Sequence, residues 1–79
     1  MTNREKYDKI FMDCFSVEKS KLNDKFVYQC VTDWDSIGHM GMIAAIEEAF
    51  AVMMETDDII DFSSYTKGLE ILSKYKVVL

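Results

Sequence analysis

The sequence predicts an all-α fold, a small four-helix bundle of three longer helices and one short third helix, with a long first loop. Three observations predict it. The 79 residues contain no proline and only three glycines, so little interrupts a helix. Apolar residues recur at helical spacing in three separate stretches. The one strand-like run, residues 26–32, has no second run to pair with, and a lone strand is not a stable solution.

Length and composition set the outer limits. One domain, residues 1–79, is expected. A chain of this size buries about 60–65% of its unfolded surface, and with 49% hydrophobic residues it can build a core without staples. The net charge of −5 argues against nucleic acid, because nothing here would neutralise a run of phosphates. It suits a partner with a basic surface and helps solubility. Cys14 and Cys30 make neither a disulfide framework nor a metal cluster. Cys14 sits in a helical apolar pattern and is expected as a small buried hydrophobe, whereas the loop position of Cys30 leaves both exposure and burial open. The charged N-terminal residues are followed by no hydrophobic signal region, and no apolar run approaches membrane-spanning length. A reduced, cytoplasmic setting, no membrane insertion and a monomer are therefore expected.

The first helix is predicted over residues 3–15. Tyr7, Ile10, Phe11, Cys14 and Phe15 form one face, Arg4, Lys6, Lys9 and Asp13 the other, and Thr2 is the N-cap. Residues 16–35 follow as a long ordered loop whose apolar residues lie over the helices. The second helix is predicted over residues 36–50. Met42, Ile43, Ile46, Ala49 and Phe50 form its core stripe. Ile37, Met40, Ala44 and Glu47 share a second, semi-apolar face with Ser36, which reads either as a docking surface or as cover for a neighbouring element. A turn without glycine leads to a short third helix beginning at Thr56, read as its N-cap, with Asp57 and Asp58 in the first turn. Ser64-Tyr65 opens a fourth helix with the stripe Tyr65, Leu69, Leu72 and Tyr75, and Lys74 and Lys76 at its C-terminal end. Gly68 inside that helix costs about 0.5–1 kcal/mol relative to alanine and points to close packing.

The residues for catalysis are missing. The single histidine, His39, lies three positions after Ser36 on the same helix, and no Gly-x-Ser-x-Gly elbow is present. There is no phosphate loop, no zinc spacing and no calcium loop. His39 falls within the core stripe, as a half-buried imidazole bonded to a loop; a second reading puts it beside a group on Ser36, steadying a phosphate. What remains is one hydroxyl, Ser36, at the mouth of a helix, with Asp35 or Asp33 to cap that end. The helix dipole and free N–H groups there favour a negatively charged group. This points to a site of attachment on a binding module, with no enzyme activity of its own.

Asp35-Ser36-Ile37, eight residues of helix, then Ile46-Glu47-Glu48-Ala49-Phe50 resembles the signature of acyl carrier proteins. The resemblance covers essentially the whole chain, including the long loop, the short third helix and the final helix. Trp34 before the motif and Gly38-His39 after it look like the stand-alone carriers of specialised pathways. The resemblance implies that a phosphopantetheinyl transferase, using coenzyme A and magnesium, links 4′-phosphopantetheine covalently to Ser36, with Asp35 assisting the modification. The arm then carries an acyl or similar intermediate as a thioester and presents it to acyl- or aminoacyl-loading and transfer enzymes. An aminoacyl or peptidyl-type carrier, and an unmodified carrier-like interaction subunit, are the alternatives. Partners of the family dock along the second helix, which here implicates Ile37, Met40, Gly41, Glu47 and Glu48. Gly38 and Gly41 stand where other members often carry acids, so close apolar contact is expected to replace charge. The family's acyl shelter would be lined here by Met42, Ile43, Ile46, Ile59 and Leu69.

Overall fold

The computed structural model describes residues 1–79 and contains four α-helices and no strand. These are α1 (Asn3–Phe15), α2 (Ser36–Phe50), α3 (Thr56–Asp61) and α4 (Tyr65–Lys74), with a 3-10 turn at Lys19–Lys21 inside the first loop. Each of the longer helices starts at a side-chain cap. Thr2 and Glu5 form a reciprocal capping box on α1. Asp35 accepts the Gly38 N–H on α2, and Ser64 accepts the Lys67 N–H on α4. α3 departs from expectation: its N-cap is Glu55, whose side chain makes no cap bond, and Thr56 is already helical.

The same three helices end alike, without glycine. Ser16, Ala51 and Lys76 each take a left-handed conformation, with φ of 53°, 52° and 64°. In each case the next residue is a valine whose N–H bonds five residues back: Val17 to Met12, Val52 to Glu47 and Val77 to Leu72. All three valines pack on the core. This is the hydrogen bond and apolar contact of a Schellman-type stop, reached at the steric expense of a Cβ in the left-handed region.

The core is aromatic. Phe11 is its hub, with ring centroids 4.9–6.2 Å from Tyr7, Phe15, Phe26, Trp34, Phe62 and Tyr65. Trp34 is wholly buried and stacks on Phe15 at 5.0 Å. The apolar run before α2 therefore supplies Phe26 and Trp34 to the interior and forms no sheet. Its one pairing is an isolated antiparallel bridge from Val27 to Ser64, with the Tyr28 N–H donating to the Ser63 carbonyl and the Tyr65 N–H to the Phe26 carbonyl, both at 2.9 Å. That bridge fixes the loop to the start of α4.

Several apolar positions differ from the periodic reading. Met42, Ile43 and Ile46 are buried on α2, but Ala49 is exposed and Phe50 only half-buried. On α4, Ile71 is buried together with Tyr65 and Leu72, while Leu69 and Tyr75 are half-buried. Cys14 is half-buried and Cys30 exposed. Gly68 is a close-packed position: a Cβ there would lie 2.1 Å from the Phe62 ring and 2.2 Å from Tyr7 Oη. Beneath it, Tyr7 Oη donates to the Tyr65 carbonyl, and Tyr65 Oη donates to the buried Asp8 carboxylate. Arg4 Nε donates to Tyr65 Oη from above, at 3.0 Å. This pins α1 to α4. No helix is long and apolar enough to cross a membrane.

Candidate functional site at the mouth of α2

Ser36 is the first residue of α2 and is exposed. Asp35 Oδ1 takes the Gly38 N–H at 2.8 Å, which leaves the Ser36 and Ile37 N–H groups at the helix mouth. Asp35, and not Asp33, is thus the cap. The carbonyl of Asp33 instead approaches Gly38 so closely that a Cβ there would sit 1.9 Å from its oxygen. Gly38 is required by the turn into the helix. Gly41 is different: a Cβ on it would meet nothing within 4 Å.

A cleft of about 290 Å³ opens beside Ser36, between α2 and the segment running from α3 to α4. Ser36, Met40, Ile60 and Ser63 are its outer lining, and Tyr28 and Ile59 its half-buried sides. His39 and the buried Phe62 form its inner wall. Tyr28 Oη lies 3.4 Å from Ser36 Oγ. Of the residues expected to line a shelter, only Ile59 does so. Met42, Ile43 and Ile46 are wholly committed to the core, and Leu69 packs at its margin.

His39 lines the cleft but does not serve Ser36. The indole N–H of Trp34 donates to His39 Nδ1 at 2.9 Å, so that nitrogen is unprotonated. His39 Nε2 therefore carries the hydrogen and donates to the Ile59 carbonyl at 2.8 Å. Both ring nitrogens are occupied, which excludes His39 as a base for Ser36 in this arrangement and replaces the phosphate-steadying reading. The imidazole is a structural bridge between the loop, α2 and α3, stacked on Trp34 at 6.2 Å.

The remaining predicted surface residues divide by exposure. Ile37 is 84% and Met40 54% exposed. Gly41, Ala44 and Glu48 are also exposed on α2. Glu47 is half-buried, and its Oε2 accepts the Met54 N–H at 2.9 Å, so it secures the turn into α3. Tyr28, Ile60, Phe62 and Ser63 reach the site from loops or from an exposed helical position. Periodicity carries no signal for them; only the bridge between Val27 and Ser64 brings two of these segments together.

The arrangement can present a hydroxyl and a neighbouring apolar cleft. The side-chain partner of Ser36 Oγ is Tyr28 Oη, and no three His, Cys, Asp or Glu side chains converge to hold a metal. Comparisons with protein-family models, with curated proteins and with solved structures gave no match.

Proposed function

We propose that the chain is a carrier protein that bears an acyl or similar intermediate as a thioester on a 4′-phosphopantetheine arm attached to Ser36. One observation carries the reading: an exposed serine hydroxyl at the start of a capped helix opens directly onto an apolar cleft. A phosphodiester on Ser36 would sit at the positive end of α2, near the Ser36 and Ile37 N–H groups. The lack of a local base agrees with a tether whose chemistry happens on other proteins. The four helices are read here as a small acyl-carrier-type bundle, acting as a cytoplasmic monomer. Its partners would be a phosphopantetheinyl transferase and the enzymes that load and discharge the arm. Asp35 assists modification in this reading, and Ile37, Met40, Gly41 and Glu48 form the docking face, with Glu47 contributing through the turn it holds.

Incubation with coenzyme A, magnesium and a broad-specificity transferase tests the proposal. Wild-type protein gains the mass of one phosphopantetheinyl group, and Ser36→Ala gains none. Equal gain by both proteins, or none by wild type, counts against it. An aminoacyl or hydroxyacyl cargo is the second reading, favoured by the Tyr28 and Ser63 hydroxyls on the cleft.

A further inference from the structure

One side chain on the wall of the cleft beside Ser36 is held from both sides. His39 receives the Trp34 indole N–H on one nitrogen and donates to the Ile59 carbonyl with the other. Its ring also meets Phe62 edge-on at 6.1 Å and Tyr28 edge-on at 5.6 Å. Four aromatic or carbonyl neighbours therefore fix one imidazole across the gap between α2 and α3. Behind it lies the wholly buried Trp34 ring, and beyond that the close-packed core.

We propose that His39 is the stop at the inner end of this cleft and limits the cargo to short acyl groups. The inference rests on the carrier reading of Ser36. The volume in front of His39, about 290 Å³, is at the small end of ligand pockets, which span roughly 300–1,000 Å³. A short chain fills it against Met40, Ile59, Ile60 and Phe62. A longer chain can go deeper only by displacing the imidazole. That leaves the Ile59 carbonyl and the Trp34 indole N–H unpaired against hydrocarbon, a penalty that opposes the apolar burial gained. The excess length of a long chain consequently stays outside the cleft.

Ser36 is loaded separately from butanoyl-, hexanoyl- and dodecanoyl-coenzyme A with the same transferase, and intact mass confirms each product. If no mass is gained, the carrier reading fails and the stop fails with it. With loaded wild-type protein, the thermal midpoint for dodecanoyl is expected to be no higher than for hexanoyl. The indole N–H resonance of Trp34, the chain's single tryptophan, stays unmoved by all three cargoes. In His39→Ala the dodecanoyl form melts above the hexanoyl form, and only dodecanoyl shifts the indole resonance. His39→Ser, whose side chain is far smaller than the imidazole, is the substitute if the alanine variant does not fold, and it is expected to move the same way. Met53→Ala, at an exposed position outside the cleft, leaves the length limit in place. A wild-type midpoint that climbs through dodecanoyl with a shifted indole signal overturns the proposal. So does a His39 variant whose chain-length profile matches wild type.

Discussion

Gly38 and Gly41 lie one turn apart on α2, yet the space around them is opposite. A Cβ at Gly38 would meet the Asp33 carbonyl oxygen at 1.9 Å, backbone that cannot swing aside, whereas a Cβ at Gly41 would meet open solvent. Gly38→Ala is expected to destabilise by about 1–3 kcal/mol through overpacking. Gly41→Ala is expected to stabilise by about 0.5–1 kcal/mol, because it relieves the entropy loss of a mid-helix glycine. Denaturant unfolding of the two variants checks both signs. The fold gives no packing reason for Gly41; in the carrier proposal it belongs to the exposed docking face with Ile37 and Met40. Gly41→Ala should therefore slow transfer by the natural partner even as it stabilises the helix; unchanged transfer would remove Gly41 from the docking face. At this scale the sequence was legible where a residue's role is local. The place of Ser36 at the start of α2, with an aspartate to cap it, could be read from cap chemistry; Ile59 on the cleft came only from the resemblance. Tyr28 and Ser63 could not be read, because a long-range bridge brings their segments to the cleft. The partners of His39 were also hidden: Trp34, five residues away, turns inward through a loop with no period.

The helices show which signals the sequence states openly and which it conceals. Starts were legible because Thr2, Asp35 and Ser64 are strong caps. The ends of α1 and α2 were legible too, at Phe15 and Phe50 where the apolar pattern stops; what stayed hidden was the means, since Ser16, Ala51 and Lys76 do a glycine's work and the valine after each is the trace they leave. Ala51→Gly is expected to stabilise by about 1 kcal/mol, since it removes the Cβ penalty of the left-handed region. Thermal unfolding checks it, and a loss of stability would show that the stop of α2 is not strained. α3 has only six residues and no side-chain cap, so it persists through its ties. These are His39 to the Ile59 carbonyl, the Glu55 N–H to Tyr75 Oη, and Asp58, whose carboxylate accepts from Lys74 Nζ at 2.6 Å and from Tyr75 Oη. The Lys74 bond, then the Tyr75 bond, holds the Asp58 carboxyl below its ordinary value of 3.8. Asp58 in turn raises Lys74 and Tyr75 above their ordinary 10.5 and 10.0. A depressed acid stabilises the fold above its unfolded pKa and ceases to as pH falls through the folded one. The raised Lys74 and Tyr75 stabilise below their unfolded values and cease to as pH rises through the folded ones. Asp58→Asn should accordingly lower the melting midpoint at neutral pH, with the difference from wild type closing as pH drops below 3.8. A difference that persists in acid would show that the carboxylate charge is not what holds α3.

On the scale of the whole molecule, one aromatic cluster organises both stability and the site. Trp34 fills the core and, through its indole N–H, fixes the imidazole that lines the cleft. Trp34→Ala is expected to cost about 3–5 kcal/mol, as large aromatic truncations do. A chain of this length has about 4–12 kcal/mol in total, so that loss alone brings the fold near its limit. The all-helical class was legible in the absence of proline and the apolar spacing, since those depend on local preference. The aromatic centre was not, because its members come from α1, the loop, the end of α3 and α4. The central claim is that this core displays Ser36 as a tether. The most direct test is the intact mass of the protein isolated from the cells that make it, followed by fragmentation to locate any added group. The account predicts the chain plus one phosphopantetheine arm, with or without cargo, on Ser36. A population carrying only the unmodified mass would contradict it.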